Sequence, residues 1–140
     1  MNLRLPRLSD DQSAPFPSPH LALRQPDGLL AWGGDLSPMR LIHAYRSGVF
    51  PWYSEGDPLL WWSPDPRTVF DTDALHLSRR FHRWLRHCNW KVFADRDFDA
   101  VISHCATMPR HGQGGTWILP EMMDAYSTLH RLDIAHSVEV

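Results

Sequence analysis

A chain of 140 residues, 43% hydrophobic and 21% charged, is long and apolar enough to fold as a domain of ordinary size, which excludes a wholly disordered polypeptide. Fourteen basic residues against sixteen acidic ones leave a net charge of −2, so the chain is no globally basic nucleic-acid binder, although a local basic patch stays open. No apolar run reaches about 18 residues, and "MNLRLPRLSDDQSAPFPSP" lacks the apolar stretch of a secretory signal; the expectation is a soluble cytoplasmic protein with no membrane span.

The first 30 residues hold five of the twelve prolines and read as extended chain wrapped over a surface. Gly33 and Gly34 suit a tight turn ahead of a helix, "SPMRLIHAYRSG", that is marked at both ends. Ser37 can cap it, Pro38 takes the first helical position where no N–H is needed, and Gly48 suits a left-handed residue past its end. Leu41, Ile42, Tyr45 and Val49 fall at helical spacing and are expected to be buried.

"GVFPWYSEGDPLLWWSPDPR", Gly48 to Arg67, follows with three of the seven tryptophans, Phe50, Tyr53 and four prolines. Proline and glycine keep this segment from being a helix, so a short strand, "LLWW", is predicted between turns. Rigid aromatic surface of this kind is either core or the wall of a pocket for something flat or apolar. Adjacent strand residues point to opposite faces, so at most one of Trp61 and Trp62 can line such a pocket, and the other belongs in the core.

"LHLSRRFHRWLRHC" is predicted as a second helix capped by Ser78, "WKVFA" as a strand and "RDFDAVISHCAT" as a third helix. The loop "MPRHGQGG" leads into "TWI" and a fourth helix, "PEMMDAYSTLHRL", opened by Pro120 and Glu121. "IAHSVEV" reads as a last strand. Helices interleaved with strands in this order predict an α+β fold. Because a strand needs neighbours for its backbone groups, the ending at Val140 reads as an interruption.

Arg79, Arg83 and Arg86 stand at i, i+4 and i+7 on one helix face, with no acid between His76 and Asn89. Like charges at that spacing repel by a few tenths of a kcal/mol per pair, roughly, and a phosphate backbone is the obvious partner to compensate them; the alternative is a solvated helix face with acids supplied from elsewhere in the fold. The nine histidines include no H-E-x-x-H and no pair with a cysteine or acid at ligand spacing, and read as polar side chains. Cys88 and Cys105 form no C-x-x-C and read as two reduced thiols. "RHGQGGTWI" lacks the G-K-[ST] of a phosphate loop and reads as a turn, and no G-x-S-x-G or Ser–His–acid pattern is present. Read residue by residue, the chain shows an aromatic-rich segment and a basic helix, and no catalytic apparatus.

Taken together, "FPSPHLALRQPDGLLAWGGDLSPMRLIHAYRSGVFPWYSEGDPLLWWSPDPR" resembles the N-terminal signature of the bacterial leucyl/phenylalanyl-tRNA–protein transferases. "LHLSR", the "GTWI" of Gly115 to Ile118, Ala125–Tyr126, Leu129–His130 and "AHSVEV" continue the resemblance in the same order, so that it covers residues 16–140. It implies transfer of leucine, phenylalanine or methionine from aminoacyl-tRNA to an N-terminal arginine or lysine of an acceptor protein, marking that protein for degradation by the N-end rule, without cofactor or metal. It also implies an N-terminal domain over 1–65 and, over 66–140, the first half of a domain like that of the GCN5-related acetyltransferases. By the same resemblance Trp52 and Trp117 form part of the aminoacyl-adenosine pocket, and Arg79, Arg83 and Arg86 meet the tRNA acceptor stem. The family's "GESMF"-like pocket segment and the "DCQ"-like strand with its proposed catalytic acid and glutamine have no counterpart among the 140 residues, so no catalytic residue is expected here and activity of this chain alone is not expected. Two alternatives are a non-enzymatic remnant that binds tRNA ends, and a folded domain whose tryptophans are all core.

Overall fold

The computed structural model describes residues 5–109 and 116–140; most of the predicted loop "MPRHGQGG", and with it Gly115 of "GTWI", lies outside them. The fold mixes α and β. Strands β1 (Leu29–Trp32), β2 (Phe50–Pro51) and β3 (Leu60–Trp62) form an antiparallel sheet in the order β1-β3-β2, and helix α1 (Pro38–Arg46) links the first two. Then come α2 (Arg79–Leu85), β4 (Phe93–Ala94), α3 (Phe98–Thr107), α4 (Pro120–Arg131) and β5 (Val138–Glu139), with β4 and β5 paired antiparallel.

The central strand explains the sheet. Trp61 is 0% exposed, meets Phe16 edge-on at 4.8 Å between ring centroids, and donates its indole N–H to the Gly33 carbonyl at 2.9 Å. Full burial of an indole requires such a partner for its N–H. Trp62, one residue on, turns to the other face as the strand period demands. Gly28 lets the two sides of the sheet meet: a Cβ there would lie 2.6 Å from the backbone of Pro64.

From residue 5 to the start of β1 the chain is extended and turned, with one short 3-10 helix at Pro19–Leu21, and its anchor is Arg40. This guanidinium is 1% exposed, pairs with Asp35 at 3.3 Å, and donates to the carbonyls of Ser9 and Asp11 at 2.8 and 3.1 Å. A buried charge is tolerable only when its donors are satisfied in this way. The backbone N–H of Leu8 and the Trp32 carbonyl add a further bond at the free edge of β1.

Helix α1 begins at Pro38, and Gly48 follows its end at φ 71°. Two expectations for it fail. The Ser37 side chain makes no cap bond and its hydroxyl is buried without a partner among the described residues; the Ser37 N–H is instead held by the Asp35 carboxylate at 2.8 Å. The buried face is Arg40, Leu41 and Ala44, with Ile42 half-buried and Tyr45 exposed, because the Tyr45 ring leaves the sheet to pack edge-on against Tyr126 of α4 and share a hydroxyl hydrogen bond with it. Leu8, Leu30, Ala31, Leu41, Ala44, Val49, Trp61 and Leu129 form one core cluster, so α4 belongs to this core through Leu129.

The second half is sparer. Ser78 caps α2 as predicted, its Oγ accepting the Phe81 N–H at 3.2 Å, yet α2 buries no residue and stops at Leu85, short of the predicted Cys88. Of "WKVFA" and "IAHSVEV" only two residues each are strand, since only those find a partner. Asp97 caps α3 by accepting the Ala100 N–H at 3.1 Å. Cys88 and Cys105 are both free. Among the described residues no helix is long and apolar enough to cross a membrane, and no group of three His, Cys, Asp or Glu side chains is placed to hold a metal.

Candidate aminoacyl-adenosine site

The turn after β2 carries Trp52. Its N–H bonds to the Leu60 carbonyl at 3.0 Å and its carbonyl accepts the Trp62 indole N–H at 2.6 Å, which fixes the backbone while the ring stays 51% exposed. Trp62 stands 5.6 Å from it at a tilt of 54°, so the two indoles form one aromatic surface open to solvent. Trp61 faces away into the core.

Tyr53, next in line, is buried, and its hydroxyl donates to the Glu121 carboxylate at 3.1 Å. Burial first, and the adjacent Glu121 second, push the Tyr53 hydroxyl up to about 12. Glu121 lies in the first turn of α4, where the helix dipole favours an acid. Trp117 is half-buried in the bend four residues before Glu121, with no ring partner among the described residues. The structure thus ties the segments that carry Trp52 and Trp117 to each other through their neighbours, without direct stacking of the two indoles.

Arg79 and Arg83 lie on α2 and Arg86 is its C-terminal cap; all three are exposed and make no ion pair among the described residues. Among the described residues no carboxylate stands within ion-pair distance of these three guanidinium groups. Phe81 stacks on Trp84 at 5.7 Å, and Trp84 meets Trp90 edge-on at 4.8 Å, so aromatic rings share this exposed helix with the arginines.

A polar cluster missed in the residue-level reading ties β4 to β5. Asp95, in a left-handed backbone conformation at φ 55°, accepts from His136 at 2.7 Å and from the Ser137 N–H at 2.8 Å. The hydrogen bond and charge of Asp95 raise the His136 pKa, and the His136 bond in turn holds the Asp95 carboxyl down. His130 stacks flat on Phe98 at 4.3 Å beside them. "ADRD" and "AHSVEV" gave no local signal of this pairing, because the partners are 41 positions apart. Tyr53–Glu121 was hidden for the same reason, at a separation of 68.

Two family models cover most of the chain, and both describe tRNA–protein transferases: the leucyl/phenylalanyl-tRNA protein transferase N-terminal domain over residues 34–65, and the leucyl/phenylalanyl-tRNA protein transferase over 69–140. A leucyl/phenylalanyl-tRNA–protein transferase of Xanthomonas campestris pv. campestris (strain B100) is 60% identical over 141 residues, spanning 100% of this chain and 57% of that protein. One from Xylella fastidiosa (strain M12) is 62% identical over 128 residues, spanning 91% of this chain and 52% of its own length. The chain belongs to the leucyl/phenylalanyl-tRNA–protein transferase family. It spans a little over half the length of the relatives it matches.

Proposed function

We propose that this chain carries the donor side of an aminoacyl-tRNA–protein transferase: it holds the aminoacylated end of a tRNA while leucine, phenylalanine or methionine passes to the N-terminal arginine or lysine of an acceptor protein in the cytoplasm, which marks that protein for degradation by the N-end rule. The observation that carries the reading is the Tyr53–Glu121 hydrogen bond, because it joins the turn bearing exposed Trp52 to the helix that follows Trp117. An adenine ring stacked on an indole gains about 1–3 kcal/mol. A leucine or phenylalanine side chain gains about 1.5–3 kcal/mol on burial. Arg79, Arg83 and Arg86, without acidic partners among the described residues, suit the phosphates of the acceptor stem.

In the reaction, the acceptor's α-amine attacks the ester carbonyl carbon, the new amide C–N bond forms, and the ester C–O bond breaks. The terminal ribose oxygen leaves with the proton that the amine gives up. Holding amine and carbonyl together supplies roughly 7–11 kcal/mol, and assisted proton transfer a further factor of about 10²–10⁴. The residues here serve the first task. The "DCQ"-like acid and glutamine assigned to the second have no match among the 140 residues, so transfer itself is proposed for an enzyme of the relatives' length.

The architecture we infer is an N-terminal domain over 1–65 followed by an acetyltransferase-like unit from 66. The change of family model between 65 and 69, and the absence of helix or strand from 66 to 78, support that boundary.

The test is a titration of intrinsic tryptophan fluorescence with 3′-(phenylalanylamino)adenosine, which cannot be hydrolysed, against the full chain and its Trp52→Ala and Trp117→Ala forms. Saturable quenching that either substitution weakens at least tenfold supports the site; equal affinity in all three removes it. A parallel transfer assay with phenylalanyl-tRNA and an arginine-ended protein, on this chain and on a relative of full length, separates binding from chemistry.

A further inference from the structure

The aromatic surface at Trp52 reaches beyond its two indoles and ends in a cation. Phe50 and Trp52 stand two positions apart on β2 and the turn that continues it, so their side chains share one face of the sheet. Phe50 lies directly opposite Trp62 in the register, which puts Trp62 on that face too, and the Trp52 ring meets Trp62 at 5.6 Å. The other face carries Pro51 and Trp61, both buried. Arg67 lies over Phe50, its guanidinium carbon 4.9 Å from the ring centroid. Trp52, Trp62, Phe50 and Arg67 thus form one row, each beside the next.

Two features hold Arg67 at the end of this row. Its Nη1 donates to the Gly48 carbonyl at 3.3 Å, and the same carbonyl accepts the Ser63 hydroxyl at 3.1 Å. Pro64 and Pro66 stiffen the chain that runs from Trp62 to Arg67. A guanidinium has five N–H donors, and this one spends a single donor on Gly48. Among the described residues no carboxylate stands within ion-pair distance of it. An exposed cation with unspent donors therefore sits at the margin of the Trp52–Trp62 surface. Flat rings beside a planar cation are what a nucleotide needs, the rings for its base and the guanidinium for its phosphate.

We propose that Arg67 is a positioning residue for the donor. It holds the phosphate on the 5′ side of the terminal adenosine while Trp52 stacks the adenine, and Trp62 takes the face of the preceding base. The inference deepens the donor-site reading above and rests on it. Arg67 does not touch the ester; it sets where the adenosine sits, and through the adenosine where the ester carbonyl points. The Phe50 ring, covered on one side by Arg67, is the spacer that keeps the guanidinium level with the two indoles. Rings and a phosphate contact read no base edge, so the row accepts any tRNA that ends in the shared cytidine and adenosine.

Three ligands are titrated against the full chain by tryptophan fluorescence: 3′-(phenylalanylamino)adenosine, its 5′-phosphate, and that nucleotide extended by a 5′ cytidine. The 5′-phosphate is expected to bind at least threefold tighter than the nucleoside, with a log–log salt slope more negative by about 0.7. The cytidine should add about a further fivefold. In Arg67→Met the ratio between phosphate and nucleoside should fall to about one, and Arg67→Lys should restore part of it. An arginine that only covered Phe50 would shift both ligands alike. Should the variants lose structure by circular dichroism, a neutral methylphosphonate linkage in the dinucleotide makes the comparison on the unaltered chain, and it should weaken binding at least threefold. A phosphate that gains nothing over the nucleoside, or a gain that survives Arg67→Met or the neutral linkage, overturns the proposal and leaves the donor site standing. A cytidine that adds nothing removes Trp62 from it. Binding by none of the three overturns the donor site as well.

Discussion

The Tyr53 hydroxyl donates to the Glu121 carboxylate across 3.1 Å, fastening the turn after β2 to the first turn of α4. Tyr53→Phe removes a hydrogen bond to a carboxylate that is exposed and can turn to water instead, which costs about 0.5–1.5 kcal/mol. Urea denaturation should show this loss with an unchanged slope. In the folded protein the hydroxyl is pushed up to about 12, against 10 when unfolded, so the native state holds this proton more tightly. The associated stability is fully present below pH 10 and drains away as pH rises toward about 12. Absorbance of tyrosinate should therefore include a component near pH 12 that Tyr53→Phe removes, while Tyr126, whose hydroxyl burial also pushes up, titrates later still in both forms.

The two faces around β3 predict opposite outcomes for two tryptophans. Trp61→Ala empties a sealed site and is expected to cost about 3–5 kcal/mol, enough to unfold much of the protein. Trp52→Ala removes a half-exposed ring whose main contact is Trp62, and should cost about 0.5–1.5 kcal/mol. Thermal unfolding followed by circular dichroism distinguishes them. A collapse of the fold in Trp52→Ala would return that ring to the core and leave the donor site without its platform.

Binding of aminoacyl-tRNA should weaken with salt. If Arg79, Arg83 and Arg86 each reach a phosphate, the log–log slope is about −2 to −4. Replacing any one by alanine should make it shallower by about 1. A slope that ignores all three substitutions would take α2 out of the interface.

His136 sets a pH dependence at the β4–β5 pair. Its pKa is raised above 6.5 by the bonded Asp95, so the stabilisation is fully present below pH 6.5 and fades as pH climbs through the folded value. At the acid end, the Asp95 carboxyl is held below 3.8 by His136 and by the Ser137 N–H, and its contribution is lost as pH falls through that lowered value. The His136 imidazole resonance should titrate above 6.5, and Asp95→Asn should bring it down. Hydrogen exchange at β4–β5 should quicken over the same range.

What the sequence made legible was local. The starts of α1 and α4 at proline, the Ser78 cap of α2 and the division of labour between Trp61 and Trp62 all follow from neighbours a few positions away. What it concealed depends on distant partners. Arg40 is buried because the Ser9 carbonyl, 31 positions off, returns to meet it, and Tyr45 turns outward because Tyr126 is there. β4 and β5 shrink to two residues each because a strand lasts only as long as its partner. At the candidate site, spacing alone revealed an aromatic segment and a row of arginines. The roles given to Trp52 and Trp117 came from resemblance, and the link between their segments came only from the folded chain.

Helix α2 is exposed throughout, while α4, much later in the chain, contributes Leu129 to the cluster of Leu30 and Trp61. Limited trypsin should therefore cut first after Arg79, Arg80, Arg83 or Arg86. The nicked molecule should elute from a sizing column as one species and run as two bands once denatured, because the severed piece stays seated by its later helix. Continuity of the covalent chain and continuity of the folded body part company at this helix.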